Sequence, residues 1–352
     1  MSAAKVRFAV IGAGMIGNAH ARALTGLDTA ELVVIADLVQ DKAAAMAQQW
    51  GVAEATTDVA GLLRREDIDA VTICVPSGRH ADLAVAALEA GKHVVIEKPI
   101  DVSLEAADRV IAAEKASGRT VAVITQHRFD RSTEKLARSV RAGNLGRITS
   151  AIASHAWWRG QSYYDSGDWR GTWALDGGGA TMNQTVHTID LLISVLGVPI
   201  EVFAYTACLA HERIEVEDTA VAVVKFDTGA LGIIHATTAA YPGLDASLRI
   251  FGSKGSAVIS DDELVFFHEN AGPAAEIGMS DGISDLNQVG EDDRLAPGER
   301  DMGVSHQRQL ADFVTVITEG GRVRVGTPEA RTALSVILAM YESAATGQPV
   351  KL

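Results

Sequence analysis

Three glycines near the amino terminus constrain the fold of this chain more than any other feature. Gly12, Gly14 and Gly17 follow the apolar run 8–11 directly, and a helical pattern begins after them. At such a junction the first glycine permits a tight turn, the second lets backbone amides approach a pyrophosphate, and the third lets the helix pack against the strand. The pattern predicts a dinucleotide-binding loop. The cofactor contacts expected in this loop are Gly12, Gly14, Met15, Ile16 and Gly17.

An acidic residue stands about twenty positions beyond the last of these glycines, where the dinucleotide-binding pattern requires one. Asp37 ends the next apolar run, 32–36, and a carboxylate there can accept hydrogen bonds from both ribose hydroxyls of an adenosine. The following Leu38, Val39 and Gln40 offer no arginine or serine to a 2′-phosphate, which the carboxylate would itself repel. The expected cofactor is therefore NAD and not NADP.

Length and charge narrow the class of protein. The 352 residues, of which 47% are hydrophobic and 22% charged, suit two globular domains. The formal net charge is −14, from 45 acidic against 31 basic residues, and no basic block occurs, so neither nucleic acid nor an anionic membrane is an expected partner. The chain enters a strand within a few residues and has no apolar stretch long enough to span a bilayer, which favours a cytoplasmic location. Cys74 and Cys208 are expected to be buried free thiols, with no disulfide or cysteine-based zinc site.

Strand and helix signals alternate in the first part of the chain and change after Phe129. The early strand signals are continuous apolar runs, typical of a parallel sheet with helices on both faces. Beyond Phe129 come a helix, an alternating strand at 148–156, an aromatic loop, a helix at 180–196 and then strands in series with short turns. Residues 270–303 are polar and rich in glycine, and a mobile loop is expected there. The expected fold class is α/β, with a Rossmann domain over 1–128 and an α+β domain with a large, mainly antiparallel sheet over 129–352.

A second polar cluster, Glu97-Lys98-Pro99, follows an apolar run at the carboxyl edge of the predicted parallel sheet. Ligands bind at that edge in open α/β folds. Lys98 can donate or accept a proton, and a nearby nicotinamide cation together with partial burial could lower its pKa. The alternative is a solvent-exposed lysine at a strand end, and the motif alone leaves both interpretations open.

A third cluster lies on the predicted helix that follows the flexible glycine run 177–179. Asn183 and His187 are four residues apart and Asp190 stands three further on, so an α-helix places all three on one face. A lone helical histidine is more often structural, but the neighbouring asparagine and aspartate favour a functional site. No second histidine lies within a helical turn of His187, so no metal is expected.

Four of the five tryptophans fall between residues 157 and 173, although only 5% of the chain is aromatic. Flat rings with polar tips suit the alternating C–H and O–H faces of a pyranose or cyclitol. The alternative is an aromatic cluster that packs an interdomain cleft or a subunit interface. The substrate contacts expected from this segment are Trp157, Arg159, Tyr164, Trp169, Arg170 and Trp173.

In this order the motifs resemble those of the Gfo/Idh/MocA oxidoreductases, the glucose-fructose oxidoreductase and inositol dehydrogenase group. The matching pieces span nearly the full length and are 12–17 with His20, Asp37, Val75-Pro76-Ser77 with His80, Glu97-Lys98-Pro99, Gln126-His127-Arg128-Phe129, 177–190, His306, Gln309, Asp312-Phe313 and 347–352. The resemblance implies that the sheet of the second domain is open on one face. In this family that sheet often packs against another subunit, so a homodimer or homotetramer is expected.

The resemblance also implies roles for individual residues, with Lys98 and His187 flanking the reacting carbon. The further cofactor contacts it implies are Pro76, Ser77, His80, Glu97, Lys98 and Gln126, and the further substrate contacts are Arg128 and Asn183. One departure matters, because inositol dehydrogenase-like members have aspartate where this chain has Asn183. Asparagine carries no charge, so His187 loses one source of a raised pKa. Asn183 is then expected to bind a substrate hydroxyl, and the proton acceptor stays open between Lys98 and His187.

The expected function is reversible, NAD-dependent oxidation of a secondary ring hydroxyl in a sugar or cyclitol. One alternative is a nucleotide-sugar or aldose dehydrogenase in which Arg159 and Arg170 clamp an acidic group. An alternative of another class is a catalytically silent NAD-binding regulator. The presence of both Lys98 and His187 argues against that alternative.

Overall fold

The computed structural model describes residues 5–270, 286–293 and 302–352, which form two compact units. The first unit holds the described parts of Met1–Gln126, Ala174–Gly177 and Asp301–Leu334. The second holds those of His127–Trp173, Gly178–Arg300 and Ser335–Leu352. Most of the loop expected at 270–303 lies outside the described residues.

The described secondary structure follows the expected alternation. The strands are β1 Val6–Ile11, β2 Ala30–Ala36, β3 Glu54–Thr56, β4 Ala70–Ile73, β5 His93–Ile96, β6 Val121–Val123, β7 Ile148–Ala156, β8 Pro199–Ala207, β9 Thr219–Phe226, β10 Leu231–Thr237, β11 Ala246–Gly252, β12 Ser256–Ser260, β13 Glu263–His268 and β14 Val350–Lys351. The α-helices are α1 Met15–Thr25, α2 Gln40–Trp50, α3 Val59–Leu63, α4 His80–Glu89, α5 Leu104–Ser117, α6 Arg131–Arg141, α7 Gln161–Tyr164, α8 Val186–Leu196, α9 Met302–Glu319 and α10 Thr327–Thr346.

The first unit is built on a fully parallel sheet in the order β3-β2-β1-β4-β5-β6. This is the strand order of a Rossmann domain, and the expected fold is confirmed. The sequence did not indicate β3 or α3, because these elements are only three and five residues long, too short for a periodic pattern. Helix α9 belongs here although it is distant in sequence, since Leu310 and Phe313 share one core with Phe8.

The second unit is built on a sheet in the order β13-β12-β11-β7-β10-β9-β8-β14. Its pairs are antiparallel except β7 with β10, so the expected mainly antiparallel sheet is confirmed. Helix α8 packs on β7, β10 and β11 and covers one face. Buried and exposed residues alternate along β9, as they do in a strand whose two faces meet different surroundings.

The helix expected at 180–196 begins differently from the prediction. Residues 180–185 form a π-helix and α8 starts only at Val186, so the α-helical spacing assumed between Asn183 and His187 is wrong. The glycine run before it, expected to be flexible, is closely packed. A Cβ on Gly178 would lie 2.0 Å from the Tyr341 hydroxyl oxygen, and one on Gly179 would lie 1.7 Å from the Glu217 carbonyl oxygen. These glycines are required because neighbouring atoms occupy the space of a side chain.

The sequence also predicted that both cysteines are buried and that no segment spans a membrane. Cys74 is buried as expected, but Cys208 is exposed, because it follows the end of β8 where the chain leaves the sheet. Within the described residues, the helices are all too short or too polar to cross a bilayer.

Candidate functional site

The glycine loop has the geometry that a dinucleotide requires. Gly12 has a φ of +108°, and a Cβ there would lie 2.2 Å from the Cys74 carbonyl oxygen. A Cβ on Gly17 would lie 1.9 Å from the Gly12 carbonyl oxygen. On Gly14, which caps α1, a Cβ would meet only open space. The first and third glycines thus allow close packing, and the second leaves room for a pyrophosphate at the helix N-terminus.

Asp37 stands beside this loop at the end of β2. Its carboxylate accepts hydrogen bonds from the backbone amides of Ala13 at 2.8 Å and Val39 at 2.9 Å. Met15, which follows Gly14, and Leu38, which follows Asp37, are apolar residues that are 73% and 91% exposed. The first unit therefore offers an acidic group for ribose hydroxyls and apolar side chains that a base could cover, which fits NAD.

A buried carboxylate fixes the backbone at the end of β5. Glu97 lies 2.8 Å from His20 Nε2 and 3.4 Å from His306 Nε2, and it accepts a hydrogen bond from the Lys98 amide at 3.0 Å. Burial works to raise the pKa of Glu97, but hydrogen bonds from the two histidines outweigh it and hold this pKa well below its usual range. Burial also lowers the pKa of His20. The pair is thus a carboxylate held by a neutral imidazole.

Lys98 is the one residue of 94–101 that is not fully buried. It precedes a cis peptide bond to Pro99, whose carbonyl oxygen lies 2.7 Å from His80 Nδ1. His80 Nε2 lies 2.9 Å from the Val75 carbonyl oxygen, so this buried ring bridges two backbone segments. The backbone on both sides of Lys98 is therefore fixed, and its side chain alone reaches out of the core. Of the other expected cofactor contacts, Ser77, His80, Glu97 and Gln126 are buried and Pro76 is half-buried.

Asn183 and His187 are the two half-buried residues in the otherwise buried stretch 180–190. The start of this stretch is held by Glu217, a residue that the sequence did not single out. The Glu217 carboxylate accepts hydrogen bonds from the amides of Gly179 at 2.9 Å and Thr181 at 2.8 Å. Burial raises the pKa of Glu217. The π-helix thus presents Asn183, and the first turn of α8 presents His187, from a firmly anchored backbone. π-helices often mark functional positions.

The ring of His127 packs against the ring of His187. The sequence indicated His127 only as part of the motif 126–129 and not as a site residue. The two rings are 5.0 Å apart, edge to face. His127 Nδ1 lies 2.9 Å from an Asp130 carboxylate oxygen and 2.8 Å from one of Asp262. Burial alone would lower the pKa of His127, but the hydrogen bonds to both carboxylates outweigh it and raise this pKa to about 10. No sequence spacing could have indicated the contact, since Asp262 belongs to a distant turn.

Asp190, which the sequence placed on one helix face with Asn183 and His187, pairs with Arg128. It forms a buried, bidentate ion pair with Arg128, with distances of 2.5 Å and 2.7 Å. The structure therefore brings the expected substrate contact Arg128 to Asp190.

The aromatic segment divides into buried and exposed members. Tyr164 is buried, and its hydroxyl lies 2.8 Å from Thr238 Oγ1. Trp157 packs on His155 at 4.1 Å between ring centroids, whereas Trp173 is 46% exposed and contacts Tyr341 at 5.2 Å.

Two clusters have donor atoms close enough to hold a metal ion. They are His20, Glu97 and His306, and His127, Asp130 and Asp262, and within each the donor atoms lie within 4.8 Å of one another. The hydrogen bonds and ion pairs described above already link the members of both clusters. The absence of a metal requirement stays a prediction from the sequence.

The strand order of the first sheet and the geometry of its glycine loop define a dinucleotide-binding protein. Residues 6–125 match the model of an oxidoreductase family with an NAD-binding Rossmann fold, and residues 133–258 match the GFO/IDH/MocA C-terminal domain. The chain belongs to the Gfo/Idh/MocA oxidoreductase family, as its motifs implied. It is an NAD-dependent enzyme.

Several characterised proteins are similar over most of the chain. The myo-inositol 2-dehydrogenase of Thermotoga maritima is 34% identical over 263 residues, which cover 71% of this chain and 74% of that protein. Two crystal structures of WlbA dehydrogenases in complex with NADH and UDP-GlcNAcA each cover the whole of this chain. The Chromobacterium violaceum enzyme is 32% identical, with a TM-score of 0.86 and 97% of its own chain covered. The Bordetella pertussis enzyme is 30% identical, with a TM-score of 0.88 and 99% covered.

Proposed function

We propose that the protein oxidises a secondary ring hydroxyl of a sugar or cyclitol, reversibly and with NAD. Dehydrogenation of such hydroxyls is the activity for which the similar inositol dehydrogenase is named. One observation about this chain carries the proposal. Stretches 94–101 and 180–190 are buried except at Lys98, Asn183 and His187, which are half-buried. The side chains that solvent can reach in these stretches are therefore groups that can move a proton or bind a hydroxyl.

In the proposed reaction the chain's residues position the substrate and take its proton. Bound NAD supplies the acceptor for the hydride that leaves the carbinol carbon. Lys98 or His187 takes the hydroxyl proton as the C–H bond breaks, and the carbon becomes a ketone. Asn183 donates a hydrogen bond to a ring hydroxyl. The fixed backbone around Lys98 holds the base of its side chain in place, which removes part of the entropic cost of aligning the amine with the substrate.

A panel of inositols and hexoses, followed by NADH absorbance, tests the proposal. We expect turnover of at least one member, near-complete loss of turnover in Lys98→Met with NAD binding retained, and a loss of about 10²-fold or more in His187→Ala. Lys115→Met is the matched control, because Lys115 is an exposed lysine on α5 of the same unit as Lys98. Retention of most activity in Lys98→Met would refute the role of this lysine. A loss below about fivefold in His187→Ala would leave Lys98 as the sole proton acceptor.

A second candidate substrate is a nucleotide-linked sugar. The observation that favours it is the similarity to WlbA dehydrogenases, whose structures contain UDP-GlcNAcA and which this chain matches along its whole length. UDP-linked sugars in the same panel separate the two candidates.

We also infer that a second copy of this chain covers the open face of the second unit's sheet. Apolar residues on β8, β9 and β10 stand exposed there. They are Tyr205, Val221, Val223, Leu231 and Ile233, with exposed fractions between 46% and 64%. Neighbouring strands bring Val223 opposite both Phe203 and Ile233, so the exposed residues form one patch. A contiguous apolar patch of this kind marks an interaction surface.

The cytoplasmic location, and the lack of nucleic-acid or membrane partners, stay predictions from the sequence.

A further inference from the structure

Two guanidinium groups in the second unit stack on the same tyrosine ring. The guanidinium carbon of Arg159 lies 5.0 Å from the Tyr163 ring centroid, and that of Arg170 lies 4.2 Å from it. Each arginine also contacts a tryptophan, Arg159 at 4.9 Å from Trp157 and Arg170 at 4.5 Å from Trp169. Aromatic rings thus hold both groups by their faces, and this leaves the N–H donors along the edges of the guanidinium planes.

Neither guanidinium is neutralised by a carboxylate among residues 5–270, 286–293 and 302–352. Two acids of the neighbouring segments serve other groups, because Asp165 pairs with Arg213 at 2.8 Å and Glu215 accepts a hydrogen bond from the Trp173 amide at 2.9 Å. Two positive charges that contact one tyrosine ring without a carboxylate partner repel each other, and an anion between them would relieve that repulsion.

Donor capacity is also left over on Arg159. Its Nη2 donates to the Gln184 side-chain oxygen at 3.1 Å, whereas its Nε is buried and has no hydrogen-bond partner in the described part of the chain. A buried donor without an acceptor costs about 1–3 kcal/mol, so an acceptor from a ligand would be strongly favoured.

The side chain of Gln184 connects the two arginines to the candidate substrate residue Asn183. The Gln184 amide nitrogen donates to the Tyr163 hydroxyl at 3.0 Å and lies 3.3 Å from the Asn183 side-chain oxygen. An anion on Arg159 and a hydroxyl on Asn183 are therefore separated by a single glutamine, a span that one substrate molecule can bridge.

We propose that Arg159 and Arg170 form an oxyanion subsite, so that the substrate of this dehydrogenase carries a negatively charged substituent. The planar fork of a guanidinium matches a carboxylate or a phosphate through two parallel hydrogen bonds. The oxyanion is either a carboxylate on the sugar ring or the diphosphate of a nucleotide-linked sugar. The inference rests on the proposed function, because it assigns the substrate class of the same site.

The test compares kcat/KM for four matched substrates: glucose, glucuronate, UDP-glucose and UDP-glucuronate. We expect the wild-type enzyme to favour at least one anionic substrate over glucose at least tenfold, and we expect added NaCl to reduce that preference. Arg170→Gln and Arg159→Gln should each reduce the preference at least tenfold, mainly by raising KM for the anionic substrates. Arg170→Lys keeps the charge without the fork and should retain part of the preference. Arg213→Gln is the control, since it removes an equal charge from an exposed arginine of the same unit.

Each outcome bears on the proposal in a defined way. Preference for glucuronate alone assigns the oxyanion to a carboxylate, and preference for both UDP-sugars assigns it to the diphosphate. Equal use of neutral and charged substrates by the wild type, or equal losses on all four in the variants, would overturn the subsite. A change in sedimentation coefficient without any change in kinetics would also overturn it and would place the arginines in a subunit interface. If the wild type turned over none of these four substrates and none of the inositols and hexoses, the proposed function would fail, but the subsite could still be tested by binding. Calorimetry with glucuronate and UDP in the presence of NADH then decides, since the subsite requires binding that Arg170→Gln abolishes.

Discussion

The charge of His127 can be tested through stability, because its protonation is coupled to folding of the second unit. Its pKa rises from 6.5 to about 10 in the folded protein, where it contacts Asp130 and Asp262. That difference corresponds to at most ~5 kcal/mol of stabilisation at neutral pH. The His127 side chain is 26% exposed, so solvent screening reduces the expected contribution to ~2–3 kcal/mol. The stabilisation is complete below the unfolded-state pKa of 6.5 and is lost as the pH rises through about 10.

Urea unfolding of the wild type and of His127→Asn between pH 6.5 and 10.5 measures this contribution. We expect the difference in unfolding free energy to be ~2–3 kcal/mol at pH 6.5 and to approach zero near pH 10.5. His235→Asn is the control for loss of a ring on the same unit, since His235 lies on β10 and contacts the Ser154 hydroxyl at 3.0 Å. Asp262→Asn should reproduce part of the effect over the same pH range. A difference that stays constant from pH 6.5 to 10.5, or a His127 ring resonance that titrates near 6.5, would refute the reasoning.

Two further predictions concern the cofactor and the assembly. Because the Asp37 carboxylate would face a 2′-phosphate, kcat/KM should be at least tenfold higher for NAD than for NADP, about 1.4 kcal/mol or more. Equal values would contradict this, and Asp37→Ser combined with Leu38→Arg should narrow the gap. Val223→Glu, which places a charge on the exposed sheet face, should dissociate the oligomer in light scattering after size-exclusion chromatography. Lys115→Gln, at an exposed position of α5 in the first unit, should leave it intact, and a monomeric wild type would exclude the proposed assembly.

Local patterns in the sequence were sufficient wherever one element supplies the whole signal. The glycine loop, the acid at position 37 and the alternating strand at 148–156 were predictable because turn chemistry and side-chain period act over a few residues. The parallel sheet of the first unit followed from the alternation of strands with helices, since a crossover helix joins parallel strands.

The tertiary structure decided whatever depends on residues that are distant along the chain. Asp262 reaches His127 across more than a hundred residues, and Glu217 anchors the π-helix at Gly179, yet neither acid has a local signature. The π-helix itself follows from that anchoring and from close packing, not from helix propensity, and it changes the spacing on which a face prediction rests. The sequence placed Arg159 and Arg170 in an aromatic segment. Only the packed structure showed that both stack on Tyr163 without a carboxylate partner in the described chain, because pairing of charges is a property of the fold.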